Sequence, residues 1–155
     1  FDAAAGLLGV CSDSRYEGQA AMVLEGLAAG HGPVAPLAGG YRIQADGQLD
    51  FLPLLTALAE GWEDAGSVAR CAALFHTTLA AGLAEWVGAQ AVALGHDRVA
   101  LAGGCAMNRL LATALVDRLA EGGITLLQAR QIPPNDGGLA LGQALVARRM
   151  MKEKD

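Results

Sequence analysis

The chain has 155 residues, of which 53% are hydrophobic, 5% aromatic and 17% charged, and its mean hydropathy is +0.33. This apolar content excludes a disordered chain and predicts a buried core. The length corresponds to between one and one and a half globular domains. The apolar stretches are broken before the roughly 20 residues that a membrane helix needs, and a net charge of −5 with 11 scattered basic residues argues against a nucleic-acid surface.

The cysteines and the first residue indicate the compartment and the origin of the chain. Cys11, Cys71 and Cys105 are odd in number and widely spaced, which is typical of thiols in a reducing cytoplasm. The chain begins at Phe1 with neither an initiator methionine nor a signal sequence. We therefore expect a cytoplasmic piece of a longer protein.

Hydrophobic periodicity predicts six helices, because apolar side chains recur every three to four residues in each segment. The longest segment carries Val68, Cys71, Phe75, Leu79 and Leu83 on one stripe. In chain order, the predicted helices cover residues 1–10, 18–29, 51–60, 67–90, 107–120 and 136–150.

Two pairs of strands are predicted between these helices. Residues 41–44 and 49–51 flank Asp46-Gly47, a dipeptide that tolerates the positive φ angles of tight hairpin turns. Residues 97–102 and 124–128 alternate with the last two helices, which predicts a parallel β-α-β unit with a right-handed crossover. The sequence thus predicts an α/β protein.

The turns that follow the two parallel strands are the candidate ligand site, since ligands of such sheets bind at the carboxyl ends of the strands. Gly103-Gly104 and residues 133–138 are expected on opposite sides of one site. Bare backbone N–H groups of Gly103-Gly104 and the start of the next helix suit a phosphate. A simple tight turn explains the same two glycines equally well.

Polar residues beside these turns have structural and functional interpretations. Asn108 and Asp136 both stand where a helix begins, and spacing alone favours an N-cap for each over a ligand contact. Gly137-Gly138 lowers helix propensity, which suggests that a phosphate or metal closely approaches that backbone. His76 is interpreted as a satisfied core or flanking residue, and Cys105 as a small buried one.

Four sequence blocks occur in an order that resembles a known family. They are Tyr-Glu-Gly-Gln-Ala-Ala at residues 16–21, Phe-His-Thr-Thr-Leu-Ala at 75–80, Gly103-Gly104 followed by Asn-Arg-Leu-Leu at 108–111, and Pro-Pro-Asn-Asp-Gly-Gly at 133–138. Together they resemble the C-terminal, TsaD-like domain of the HypF-type carbamoyltransferases of nickel-iron hydrogenase maturation. The likeness extends over nearly the whole chain.

The resemblance implies a fold, an activity and partners. Residues 1–155 would form the C-terminal lobe of an actin-like ATPase (ribonuclease H-like) fold, with parallel β-α-β units plus a β-hairpin. Such a lobe faces the nucleotide in an enzyme that passes a carbamoyl group from carbamoyl-adenylate to the C-terminal cysteine of a HypE-type partner. The expected partners are that protein and the upstream domains of the same protein, without nucleic acid or membrane.

The resemblance also implies ligands and site residues, while no catalytic residue is assigned. The ligands are ATP or carbamoyl-adenylate and a divalent metal, either iron, zinc or magnesium, in the intact domain. In this family pattern Gly103 and Gly104 face the phosphates, Asn108 the nucleoside, Asp2, Gly18 and Glu25 the ribose side, and Asp136 the metal.

The chain departs from the family pattern at several points. Ala102 and Cys105 replace a serine before the two glycines and an apolar residue after them, and the paired metal-binding histidines of the family lie upstream of the region covered here. The chain is therefore expected to supply one lobe of a two-lobed site. An O-carbamoyltransferase of secondary metabolism and a non-catalytic binding or scaffold fragment remain the alternatives.

Overall fold

The computed structural model describes residues 1–61 and 65–152 and has mixed α/β architecture. The helices are α1 (Asp2–Leu7), α2 (Gln19–His31), α3 (Leu52–Glu60), α4 (Ala65–Ala93), α5 (Arg109–Glu121) and α6 (Leu139–Lys152). The strands are β1 (Arg42–Ile43), β2 (Leu49–Asp50), β3 (Arg98–Leu101) and β4 (Thr125–Gln128).

The predicted helices and strands are confirmed, with ends that shift by a few residues. Two of the shifts come from short 3-10 turns, Gly104–Met107 and Asp136–Gly138, which precede α5 and α6. Periodicity assigned part of each turn to the following helix, because one 3-10 turn carries too few residues to have a distinguishable period. Helix α2 also continues two residues beyond its expected end.

Helix α4 is the axis of the fold, because both hydrophobic clusters include residues from it. Its first half joins α1, α2 and α3 in one cluster, and its second half joins α5 and the parallel strands in another. Cys71, Ala72 and Phe75 belong to the first cluster, and Ala80 and Ala84 to the second. The predicted apolar stripe thus faces the two clusters: Cys71 and Phe75 are buried, and the other members, Val68, Leu79 and Leu83, are half-buried.

The second half of the chain forms the predicted β-α-β unit. Strands β3 and β4 pair in parallel, with Arg98 opposite Thr125 and Leu101 opposite Gln128. Helix α5 connects them and buries Leu111, Leu115 and other side chains. Both strands therefore end at the same edge, as a parallel pair requires, and the two 3-10 turns follow at that edge.

The predicted β-hairpin packs against α4. Strands β1 and β2 are antiparallel, and Gly47 at their turn has φ +83°. The Trp86 indole N–H donates a hydrogen bond to the Gly47 carbonyl at 2.7 Å. The Tyr41 hydroxyl donates to the Glu85 carboxylate at 2.6 Å, which raises the pKa of Tyr41 above its ordinary value.

Helix α6 differs from the other long helices because it has no buried side chain. Its large apolar side chains are exposed, namely Leu139, Leu141, Leu145, Val146, Met150 and Met151.

Within residues 1–61 and 65–152, no helix combines the length and hydropathy needed to cross a membrane.

Two glycines of α4 give a matched test of the hairpin packing. A Cβ on Gly82 would lie 2.8–2.9 Å from ring atoms of Phe51 and Tyr41, whereas a Cβ on Gly88 would meet only Ile124 at 3.8 Å. We expect Gly88→Ala to raise the free energy of unfolding by up to about 1 kcal/mol through helix propensity. Gly82→Ala should lower it by roughly 1–3 kcal/mol through overpacking.

Urea unfolding followed by circular dichroism measures both changes. Equal stabilisation by the two alanines would contradict the close contact between the hairpin rings and α4.

Candidate functional site

The turns after β3 and β4 touch each other at the carboxyl ends of the strands. The backbone N–H of Gly103 donates a hydrogen bond to the carbonyl of Pro134 at 2.7 Å. The expectation that both turns belong to one place in the fold is correct, but they are joined directly and do not face each other across a gap. A shallow depression of about 270 Å³ lies beside the joined turns, lined in part by Met107, Gln128 and Pro134.

The two glycines of the first turn have different reasons for being glycine. Gly103 has φ +91°, a backbone conformation that side chains rarely adopt. Gly104 has an ordinary φ and open space where a Cβ would stand, so the fold itself does not require glycine there. Among the described residues, the backbone N–H groups of Gly104 and Cys105 have no hydrogen-bond partner.

This turn therefore has the features of an anion cradle: two free donors, no Cβ at Gly104, and exposure to solvent. The Cys105 side chain is exposed, so the prediction that it is a small buried residue is wrong. Cys105 lies on an exposed 3-10 turn beyond the end of β3, and the two glycines before it have no side chains that could cover it.

Asn108 is buried, with 5% of its surface exposed, and both ends of its side-chain amide are used. Its Oδ1 accepts a hydrogen bond from the Leu111 N–H at 2.9 Å, so the predicted N-cap of α5 is confirmed. Its Nδ2 lies 3.0 Å from Nε2 of His76 on α4. One N–H and one oxygen lone pair remain for a further partner.

Glu25 reaches the same place from α2. Its Oε1 accepts a hydrogen bond from the Arg109 N–H, the first residue of α5, at 2.8 Å. Two of the N–H groups that a helix start leaves unpaired are therefore satisfied by Glu25 and Asn108. The N–H groups of Arg109 and Leu111 are therefore not available to a phosphate, contrary to the expectation for the start of α5. The free N–H groups are those of Gly104 and Cys105 in the preceding turn.

His76 is a satisfied core residue, as predicted, and only 3% of its surface is exposed. Its Nδ1 lies 2.8 Å from the Ala72 carbonyl, and its ring packs near the rings of Phe1 and Phe75 at 5.6 and 5.5 Å between centroids. Burial lowers the pKa of His76 below its ordinary value, although the Ala72 carbonyl and the Glu25 carboxylate oppose that shift.

Sequence reasoning omitted His76 from the site and thereby missed its contact with Asn108. The two residues are 32 positions apart, and a helical histidine beside an apolar stripe gives no local signal of its distant partner. Only the block at residues 75–80 pointed to this position, through the family resemblance.

Asp136 is exposed, and its carboxylate has no hydrogen bond or ion pair within the described part of the chain. The N-cap is Asn135, whose Oδ1 accepts from the Gly137 N–H at 3.1 Å, so the prediction that Asp136 is the cap is wrong. Asn and Asp cap helices equally well. Which of these two adjacent residues is the cap therefore depends on the residue at which the turn begins. The Asp136 carboxylate is left free.

The close approach inferred at Gly137-Gly138 is made by the chain itself. A Cβ on Gly138 would lie 2.6 Å from the Pro133 carbonyl oxygen, and one on Gly137 would lie 3.0 Å from the Pro133 ring. The fold of the Pro-rich turn therefore accounts for both glycines, and they carry no information about a ligand.

Asp2 and Gly18 stand apart from this set of contacts. Asp2 is exposed in the first turn of α1, and Gly18 precedes α2 with φ +80°. Among residues 1–61 and 65–152, neither makes a hydrogen bond to the strand-end turns. The structure thus brings Glu25, Asn108 and His76 together, and links Gly103 to the turn that carries Asp136.

The described residues do not form a complete metal site. No group of three or more His, Cys, Asp or Glu side chains converges within residues 1–61 and 65–152. Asp136 offers a single carboxylate, whereas Mg²⁺, iron and zinc each require several ligands.

The chain resembles proteins of one family over most of its length. Residues 1–143 match the family described as the second subdomain of the Kae1-like domain of a carbamoyltransferase. The carbamoyltransferase HypF of Rhizobium leguminosarum bv. viciae is 50% identical over 97% of this chain and 19% of its own length. HypF2 of Cupriavidus necator is 45% identical over 95% of this chain and 21% of its own length.

Solved structures agree in fold. The crystal structure of full-length HypF in the phosphate- and nucleotide-bound form superposes with a TM-score of 0.78 at 29% identity, over 97% of this chain and 20% of that one. The HypF structure from T. kodakarensis gives a TM-score of 0.72 at 24% identity and supports the fold alone. The chain spans about a fifth of the length of these relatives. With the family pattern matched over residues 1–143, the chain belongs to the family of second subdomains of the Kae1-like carbamoyltransferase domain.

Proposed function

We propose that residues 1–155 are the C-terminal, nucleotide-facing lobe of a cytoplasmic carbamoyltransferase that takes part in nickel-iron hydrogenase maturation. The observation that carries the proposal is the Gly103-Gly104 turn, which has two free N–H donors and room for a ligand at Gly104. Membership of the Kae1-like family and the nucleotide-bound state of a related HypF structure support it. The three unpaired cysteines favour the cytoplasm.

In this proposal the chain contributes binding and orientation. The N–H groups of Gly104 and Cys105, with Gly103 shaping the turn, would hold phosphate oxygens of ATP or carbamoyl-adenylate. Asn108 would use its remaining N–H or lone pair toward the nucleoside. Glu25, together with Asp2 and Gly18, would line the ribose side.

The reaction proposed for the whole enzyme is acyl transfer to sulfur. The thiolate of a C-terminal cysteine on a HypE-type partner forms a bond to the carbamoyl carbon, and the bond from that carbon to the phosphate oxygen breaks. The electron pair of the broken bond leaves with AMP. Preorganised N–H donors on the phosphate stabilise the charge that the leaving group gains.

Asp136 is proposed as one ligand of a divalent metal in the intact domain. Its free, exposed carboxylate at the edge of the sheet suits that role, and the further ligands would come from outside the described residues.

The phosphate role of Gly104 is tested by Gly104→Val. Because a Cβ there meets no protein atom, we expect the variant to fold normally, while its side chain fills the cradle and weakens ATP binding at least tenfold. Gly30→Val is the control, since Gly30 also has open space around it but lies at the end of α2. Isothermal titration calorimetry of the full-length protein measures both affinities, and equal ATP affinity in the Gly104 variant would refute the cradle.

The roles of Asp136 and Asn135 are separated by a pair of alanine variants. Asn135→Ala removes the cap and should cost about 1 kcal/mol of stability. Asp136→Ala removes no hydrogen bond of the described structure, so its melting temperature should stay close to that of the wild type. If Asp136 is a metal ligand, that variant should nevertheless lose more than about 100-fold in carbamoyl transfer, beyond what a supporting residue costs.

Thermal melting and transfer to the partner cysteine are measured on the same preparations of full-length protein. Wild-type transfer rates in the Asp136→Ala variant would remove Asp136 from the proposed site.

A further inference from the structure

His76 and Asn108 lie in a chain of hydrogen bonds that runs from the Ala72 carbonyl to the Leu111 N–H. The role of each group as donor or acceptor is determined by the role of its neighbour in the chain. The Ala72 carbonyl can only accept, so Nδ1 of His76 carries the proton that points to it. In the neutral ring Nε2 is then an acceptor, and it accepts from the Nδ2 group of Asn108 at 3.0 Å. This leaves Oδ1 of Asn108 to accept from the Leu111 N–H.

The chain of bonds allows one orientation of the Asn108 amide. If the amide turned over, Nδ2 would face the Leu111 N–H and the cap of α5 would be lost, while Oδ1 would face a lone pair on Nε2. Both side chains are buried, so water cannot easily replace either bond. The neutral His76 ring therefore selects the amide orientation that caps α5.

The same residue closes the glycine turn. The backbone N–H of Asn108 donates to the Cys105 carbonyl at 3.1 Å, and the Ala106 N–H donates to the Gly103 carbonyl at 3.1 Å. The position of Asn108 thus determines where the turn with the free N–H groups of Gly104 and Cys105 ends.

We propose that His76 is a positioning residue of the nucleotide site: its unprotonated Nε2 holds the Asn108 amide, and through Asn108 the Gly103-Gly104 turn, in the geometry that receives the ligand. This inference rests on the proposed nucleotide-binding function and assigns to that site a residue on α4. His76 itself touches no ligand.

Protonation of His76 disrupts this arrangement, because Nε2 would then present a hydrogen to the Nδ2 hydrogens of Asn108. The Glu25 carboxylate on α2 acts on the ring and favours its protonated form. Arg109 and Asp117 of α5 line the same cavity as His76. Since burial lowers the pKa of His76, the neutral form is retained at pH 7 and is lost as the pH falls below the ordinary histidine range.

Two substitutions at this position separate orientation from packing. His76→Gln keeps an acceptor near the position of Nε2 but cannot be protonated in this pH range. His76→Phe keeps an aromatic ring and loses the acceptor, which leaves the Asn108 amide group without its partner. His96→Gln is the control, because His96 is exposed in the loop before β3.

The experiment measures the dissociation constant of ATP for the full-length protein between pH 5 and pH 8. The wild type and the His96→Gln control should both lose affinity as the pH drops below about 6.5. His76→Gln should bind as the wild type does at pH 8 but should not show that loss. His76→Phe should bind about tenfold more weakly at pH 8, the effect of one lost hydrogen bond. Titration of the ATP phosphates is common to all variants and cancels in the comparison.

Hydrogen exchange at the Leu111 amide provides a readout without nucleotide. We expect about tenfold faster exchange in His76→Phe and wild-type exchange in His76→Gln. Unchanged exchange and ATP affinity in His76→Phe, or a wild-type pH profile in His76→Gln, would overturn the proposal. If wild-type protein binds no ATP at any pH, the proposed function fails, whereas exchange at Leu111 still decides whether His76 orients Asn108.

Discussion

The hydrogen bond between Asn108 and His76 connects the start of α5 to α4, beside the turn that forms the candidate site. Asn108 starts the helix of the β-α-β unit, and His76 belongs to the long helix α4 that both clusters share. Glu25 adds a second link from α2 to the next residue, Arg109. The first turn of α5 is therefore held from two other helices, and its geometry depends on how those helices pack.

Much of this architecture follows from local patterns. Apolar stripes with a helical period predict the helices, because burying one face of a helix requires that spacing whatever the helix packs against. Asp46-Gly47 predicts the hairpin, and the alternation of strands and helices after residue 97 predicts the parallel pair. The position of the strand-end turns follows from the topology, since parallel strands end on the same side.

The details of the site depend on contacts that no local pattern contains. Glu25 and Arg109 are 84 positions apart, and their hydrogen bond is known only once the helices are packed. Asn135 and Asp136 are adjacent and chemically equivalent as caps; the sequence favours Asp136, whereas the structure uses Asn135. The sequence favours a buried Cys105 because no base lies near it in the sequence to activate the thiol, but its exposure depends on what surrounds the turn.

The hydrogen bond from Gly103 to Pro134 has a mechanical consequence for the edge of the sheet. It connects the turn that forms the anion cradle to Pro134, and the free carboxylate of Asp136 lies two residues after Pro134. A displacement of one turn relative to the other would strain that bond, so the bond opposes independent movement of the two turns. The bond thereby restrains the spacing between the backbone of the cradle and the backbone of the turn that carries Asp136, so a ligand that spans both would meet two segments that are already connected.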